Sequence, residues 1–357
     1  MSVMRQGICR ILGEGRRRSQ CGEEKGASDV PACSMRGSCE MLDAARCVSI
    51  PPCRVRGKRK RGRTERYQHS VMPDRLIVVT GANGNVGAPL VDALAEQGIS
   101  VRAAIHGAES AFTADVETVH FDFTDRQTWT PGFRDAQGLF VLRPPHLSNV
   151  ETTIHPALDA AIAAGVGHVV TLSVMGAGAN PFLPHRRIEK HVESQPVAWT
   201  HVRPGFYMQN LSGTHRAGIC KHDEIIVPAG EGRANWVDTR DIGELAAMVL
   251  AEGAEHDKCI YEPTGPEALT YHAVAGILSD VLDRKIQYDR PGLWRYVQHM
   301  RRDTNFDLGF ILFSCLLHTL VRLGRSSRVT DDVETVLGRP PRSLRDFAED
   351  YADVWRS

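Results

Sequence analysis

The sequence has no apolar run as long as the ~20 residues that a helix needs to cross a bilayer. The nearest is residues 309–320, GFILFSCLLHTL, short enough to be a buried helix or the wall of an apolar pocket. The first 30 residues lack the apolar centre of a secretory signal, so a cytoplasmic protein with no membrane partner is expected. No two cysteines form a C-x-x-C pair, although six of the nine (Cys9, Cys21, Cys33, Cys39, Cys47 and Cys53) precede residue 73. That spacing argues against a zinc site, and nothing points to the oxidising compartment that a disulfide framework needs. Cys220, Cys259 and Cys315 stand alone and read as small buried apolar residues. No internal repeat is present.

Net charge is missing as well, because 43 Lys+Arg balance 43 Asp+Glu. The balance hides an asymmetry: 16 against 7 over residues 1–72, and 27 against 36 over the rest. Residues 54–66, RVRGKRKRGRTER, hold eight basic residues in thirteen. Residues 1–72 show no sustained helix or strand period, so they read as a disordered extension. A nucleic-acid or nuclear-import tail is the alternative reading, and nucleic acid is not the expected partner. Met72 stands three residues before the first strand, so the functional protein is expected to begin there, the upstream part arising from start-site choice.

What the chain has is concentrated at residues 75–97, RLIVVTGANGNVGAPLVDALAEQ. An apolar strand, 76–79, runs into Gly81, Gly84 and Gly87, and then Val86, Leu90, Val91 and Leu94 recur on one helix face. Strand, glycine turn and helix are the context of a dinucleotide-binding fingerprint. Gly81 permits the tight turn, Gly84 the approach of a pyrophosphate, and Gly87 close packing of the helix, whose N-terminus favours phosphate. Strands and helices then alternate: strands at 100–106, 116–123 and 138–142, a helix at 150–164, a strand at 168–173, a helix near 186–194 and a strand at 199–202. This order predicts an α/β fold, a Rossmann-type doubly wound parallel sheet with a smaller C-terminal substrate lobe. The dinucleotide part spans about 73–205, and the lobe mostly 206–357. Within the lobe, 271–282 is an amphipathic helix, Asp331 and Glu334 pair as a capping box, and a last helix carries Leu344, Phe347, Tyr351 and Trp355.

The end of the second strand, ~20 residues past the glycines, selects between cofactors: an acid holds the ribose of NAD, a basic group the 2′-phosphate of NADP. That place is His106-Gly107, with no carboxylate between residues 100 and 108, and Arg102 shares the parity of His106. NADP(H) is therefore favoured over NAD(H).

Taken together, GANGNVG at 81–87, DFTD at 122–125, LSVMGAG at 172–178, HVRPGFYMQN at 201–210 and WVDTRDI at 236–242 resemble the NmrA-like branch of the atypical short-chain dehydrogenases. Within it the chain is most similar to NAD(P)H-dependent quinone and azo reductases and ergot-alkaloid reductases. The resemblance implies cofactor contacts from the turn (Gly81, Asn83, Gly84, Asn85, Val86), from His106, from Asp122 and Phe123 beside the adenine, and from Leu142 and Pro144. It places Ser173 at the nicotinamide, closes Pro204 over it, and starts the substrate pocket at Phe206, Tyr207 and Met208.

One departure stands out. The Y-x-x-x-K pair of typical short-chain dehydrogenases is absent, and its place is taken by His185-Arg-Arg-Ile-Glu189-Lys190. His185 is the candidate proton donor, with Glu189 one turn later to orient it; the competing expectation is that both are solvated surface. The implied function is hydride transfer to a small conjugated acceptor (quinone, azo or imine) without a Tyr/Lys acid. The alternative is a cofactor-sensing regulator that binds a protein partner.

Overall fold

In a computed structural model of the chain, residues 75–107, 112, 116–304 and 306–356 are described. The basic stretch at 54–66, the six early cysteines and Met72 lie outside them.

The predicted alternation is realised. β1 (Leu76–Thr80), α1 (Gly87–Glu96), β2 (Ser100–Ile105), β3 (Glu117–His120), α2 (Trp129–Phe133), β4 (Gly138–Leu142), α3 (Val150–Ala163), β5 (His168–Leu172), α4 (Pro184–Glu193) and β6 (Ala198–Val202) follow in turn. The sheet runs β3-β2-β1-β4-β5-β6-β9, with β9 at Cys259–Tyr261 and every neighbouring pair parallel. Successive side chains of β1 point to opposite layers. Ile77 and Val79 join a core with Leu90, Val91 and Leu94 of α1, whereas Val78 joins Phe133, Ile154, Leu158 and Val192 on the other face. Burial on both faces is why these strands read as continuous apolar runs.

The seventh strand was not expected. After β7 (Phe206–Tyr207), α5 (Gln209–Ser212), α6 (Arg216–His222) and β8 (Arg233–Val237), the chain returns through α7 (Thr239–Glu252) to β9 (Cys259–Tyr261), which pairs with β6. α7 covers the same face as α1, so this stretch belongs to the dinucleotide part despite lying past residue 205. Gly243 makes the crossing close: a Cβ there would meet the Leu90 nitrogen at 2.8 Å.

The lobe is built on a three-stranded sheet, β10 (Ala268–Thr270)-β8-β7. Its own core takes side chains from α8 (Tyr271–Leu282), α9 (Leu293–Asp303), α10 (Leu308–Arg322), α12 (Leu344–Asp350) and α13 (Ala352–Arg356), while Val333 and Val336 of α11 (Asp332–Leu337) pack toward the first sheet. Three local expectations are corrected. The last helix is two, parted at Tyr351, although Ser343 and Asp346 do form a capping box at its start. Asp331 makes no side-chain cap, and Asp332 instead accepts from the Glu262 N–H. The apolar run at 309–320 is half a buried helix: Ile311, Ser314, His318 and Val321 face the core, whereas Leu308, Leu312, Phe313 and Leu316 are exposed. Cys259 is buried as expected, and Cys220 and Cys315 are half-buried free thiols. Among the described residues no helix is long and apolar enough to cross a membrane.

Candidate active site at the carboxyl edge of the sheet

β1 has β2 on one side and β4 on the other, so the strand order reverses at β1/β4 and a crevice opens beyond their carboxyl ends. Thr80 fixes this junction: its hydroxyl donates to the Phe140 carbonyl at 3.0 Å and accepts from the Leu142 N–H at 2.9 Å. The glycine turn leaves β1 directly. Gly81 has φ +64°, a conformation that side chains disfavour, and its carbonyl accepts from the Gly84 N–H at 3.0 Å. A Cβ on Gly87 would stand 2.1 Å from the Gly81 carbonyl oxygen, so this glycine seats the helix on the turn itself rather than only on the sheet. α1 starts without a side-chain cap; the Ala88 N–H donates to the Gly84 carbonyl at 3.0 Å and Pro89 has no N–H, which leaves the Gly87 N–H at the helix start to a ligand. Asn83 and Asn85 are exposed, whereas the Val86 side chain is buried, so only the backbone of Val86 faces the crevice. A cleft of about 500 Å³ opens beside the turn, lined by Asn83, Gly84, Asn85, Thr239, Arg240 and Tyr351 among others.

At the β2/β3 end, His106 is 71% exposed, with Nε2 3.4 Å from the Asp122 carboxylate. Burial raises the Asp122 carboxyl, but hydrogen bonds from the Thr124 N–H and hydroxyl and the nearness of His106 outweigh it, leaving it below the ordinary value. Phe123 is buried, edge-on to Phe121, in the core under the site. Arg102 is not available to a phosphate. It is buried and donates to Glu117 at 2.8 Å and to the carbonyls of Gly132 and Arg134. Shared parity put His106 and Arg102 on one side, yet only His106 reaches solvent.

The ends of β4, β5 and β6 line the other half. Leu142 ends β4 and Pro144 follows it, both half-buried; between them Arg143 donates to the carbonyls of Pro144, Pro145 and Leu147. Arg143 Nε also approaches His185 Nε2 at 3.5 Å. Burial first, and then the Arg143 charge, push His185 down to about 4, so the imidazole is neutral at neutral pH. Ser173 follows β5 and is 2% exposed. Its hydroxyl faces the Glu189 carboxylate and helps keep it ionised without closing a bond of ordinary geometry. Pro204 is buried after β6, and its carbonyl accepts from the Met175 N–H at 3.2 Å.

Glu189 overturns the expectation of a solvated surface. It is completely buried, and both its oxygens accept from Arg203 at 2.7 Å. One of them also accepts from Arg186, so the acid is committed to arginines rather than to orienting His185. Glu193 and His201 extend the cluster; burial would raise Glu193, but hydrogen bonds from His201 and Arg186 bring it down to about 2. Arg143 and the Glu189–Arg203 pair are the residues that sequence reasoning missed. Their signal was faint: an arginine after a strand, and an acid and a base 14 positions apart.

The three residues expected to open the substrate pocket divide. Phe206 and Tyr207 are half-buried at the junction between the two cores, and burial raises the Tyr207 phenol. Met208 is 1% exposed and belongs to the core of the lobe, because the turn into α5 points it inward.

The profile of the NmrA-like family matches residues 73–299. An NAD(P)H azoreductase of Xenophilus azovorans is 30% identical over 288 residues, covering 78% of this chain and 98% of that protein. An NADPH-dependent quinone oxidoreductase of Escherichia coli, solved with NADPH, superposes with a TM-score of 0.68 at 19% identity, covering 77% of this chain and 99% of its own. The negative transcriptional regulator NmrA, solved with NAD, gives a TM-score of 0.64 at 18% identity, covering 78% and 95%.

Proposed function

As a chain that belongs to the NmrA-like family, the protein is, we propose, an NAD(P)H-dependent reductase that delivers hydride to a small conjugated acceptor of quinone, azo or imine type. The observation that carries this reading is the convergence of four strand ends on one crevice. β1 supplies the glycine turn, β4 Leu142 and Pro144, β5 Ser173, and β6 Pro204.

These residues suit a dinucleotide. The turn admits no Cβ at Gly87, the helix start is uncapped by side chains, and a buried serine hydroxyl is unbonded. Gly81, Asn83, Gly84, Asn85 and the Val86 backbone would hold the phosphates, His106, Asp122 and the Phe123 backbone would border the adenosine, and Leu142, Pro144, Ser173 and Pro204 the nicotinamide ribose and ring. The bound cofactor supplies the hydride. The protein's part is placement: Ser173 offers a buried hydroxyl to a polar group, Pro204 keeps the loop in one conformation, and Phe206 and Tyr207 present apolar surface to a flat acceptor. His185 is neutral and engaged by Arg143, so it carries no spare proton at neutral pH, and solvent protonates the product. The relatives named for azo and quinone reduction support this class of acceptor.

NADP(H) is favoured because the end of β2 has no carboxylate and presents an exposed imidazole, even though Arg102 is diverted. Titrating the protein with NADPH and NADH tests this: the former should bind at least tenfold more tightly, and equal affinity would remove the preference. The second reading, a cofactor sensor without turnover, draws on the absence of a charged acid at His185 and on the likeness to NmrA. The readings part on one assay, NADPH oxidation with a panel of quinones, azo dyes and imines.

A further inference from the structure

Away from the carboxyl edge, three side chains of metal-ligand type converge in the lobe. His222 ends α6, and His299 and Asp303 stand one turn apart on α9, a spacing that puts both on one face. Nδ1 of His299 lies 2.9 Å from Oδ2 of Asp303, and Nε2 of His222 lies 3.6 Å from the same oxygen. The three ligand atoms are all within 4.8 Å of one another. In a tetrahedral zinc site with bonds of ~2.0–2.2 Å, ligand atoms stand roughly 3.3–3.5 Å apart. The two observed separations bracket that spacing, so small side-chain rotations would close the site.

A His–Asp contact along one helix needs no metal, but it leaves two features unexplained. His222 is brought to the same carboxylate oxygen from a different helix. Glu224, two residues on, lines the same cleft of about 710 Å³ with its side chain 10% exposed. Its Oε2 accepts from Arg295, but Oε1 is buried without a hydrogen-bond partner, a state that native interiors rarely tolerate. A water on a bound ion would supply the missing donor.

We propose that His222, His299 and Asp303 bind one divalent transition ion of the zinc class, with a fourth position occupied by water on the Glu224 side. Two imidazoles and one carboxylate suit zinc and its neighbours and are poor for magnesium or calcium, which prefer all-oxygen shells. Arg295, Arg301 and Arg302 line the cleft and give the open position electropositive surroundings.

The test uses the full chain, freed of metal by a chelator and then titrated with Co²⁺ and followed by visible absorption. The six early cysteines would announce themselves by thiolate-to-cobalt charge transfer, which this site cannot give. Wild type should show one equivalent of Co²⁺ with d–d bands of an imidazole–carboxylate site, displaced by Zn²⁺. Zn²⁺ should also raise Tm in wild type by mass action. In His222→Ala, a half-exposed position whose loss leaves the core intact, and in Asp303→Asn, the affinity of that equivalent should fall at least tenfold and the Zn²⁺-dependent rise in Tm should disappear. Identical titrations of wild type and both variants, or thiolate-type absorption alone, would overturn the proposal.

Discussion

Arg203 and Glu189 meet as a fork, Nε and Nη2 donating to the two carboxylate oxygens at 2.7 Å each, with both side chains nine-tenths or more buried. Burial alone would raise the Glu189 carboxyl, and Arg203 together with His201 and Ser173 outweighs it. Removing one partner of a buried pair strands the other charge, at a cost of about 3–5 kcal/mol. Arg203→Leu should therefore lower the free energy of unfolding by roughly 3 kcal/mol. Arg203→Lys should recover only part of it, because an ammonium cannot form the fork. Denaturant unfolding measures both, and wild-type stability in Arg203→Lys would contradict the assignment.

At the glycine turn the expected effect is on binding rather than on folding. An alanine methyl at position 87 would stand 2.1 Å from the Gly81 carbonyl oxygen and 2.8 Å from Ala82 Cα, so the turn must open. Gly87→Ala should weaken NADPH at least tenfold in a fluorescence titration while leaving the far-ultraviolet circular dichroism near wild type. An unchanged Kd would show that the turn does not hold the cofactor.

His185 sits beside the crevice but is held neutral by burial and by Arg143. His185→Ala should keep more than a tenth of the wild-type rate with quinones or azo dyes. Collapse to background in a folded variant would make His185 the proton donor after all.

Stability should fall on acidification for a reason visible in the interior. Burial pushes His168, His185 and His318 down to about 4 and His215 to about 3. Between these values and the ordinary ~6.5 of an unfolded histidine, the unfolded chain binds protons that the folded chain refuses. Stability is therefore complete above pH ~6.5 and drains away as pH falls toward 4. Thermal melts should show Tm level from pH 7 to 8 and dropping steeply from pH 6.5 to 4.5, and a flat profile across that window would contradict the burial of neutral imidazoles.

The parts of this site that the sequence disclosed are those made by consecutive residues. The turn at 81–87 announces itself because strand, glycines and helix are adjacent and each needs a specific residue type. Strand ends at Leu142, Ser173 and Pro204 follow from apolar runs bounded by breakers. What stayed hidden depends on partners distant along the chain. Glu189 reads as surface on a charged helix until Arg203, just past β6, is placed under it, and Arg102 reads as a phosphate ligand until Glu117 and two carbonyls claim it. Met208 looks like its aromatic neighbours in the motif, but one turn of backbone sends it into the lobe. β9 is three residues long and joins the sheet only because α7 carries the chain back, a topological fact with no local signature.

Turnover separates a reductase from a cofactor sensor, and one assay measures it directly. Purified full-length protein is mixed with NADPH and, in turn, with quinones, azo dyes and imines, and the loss of the reduced-nicotinamide absorbance is followed. Acceptor-dependent oxidation is expected with at least one of these classes, lost or strongly slowed in Gly87→Ala. Tight binding of NADPH with no oxidation by any acceptor would contradict it and leave the cofactor-sensing reading in its place.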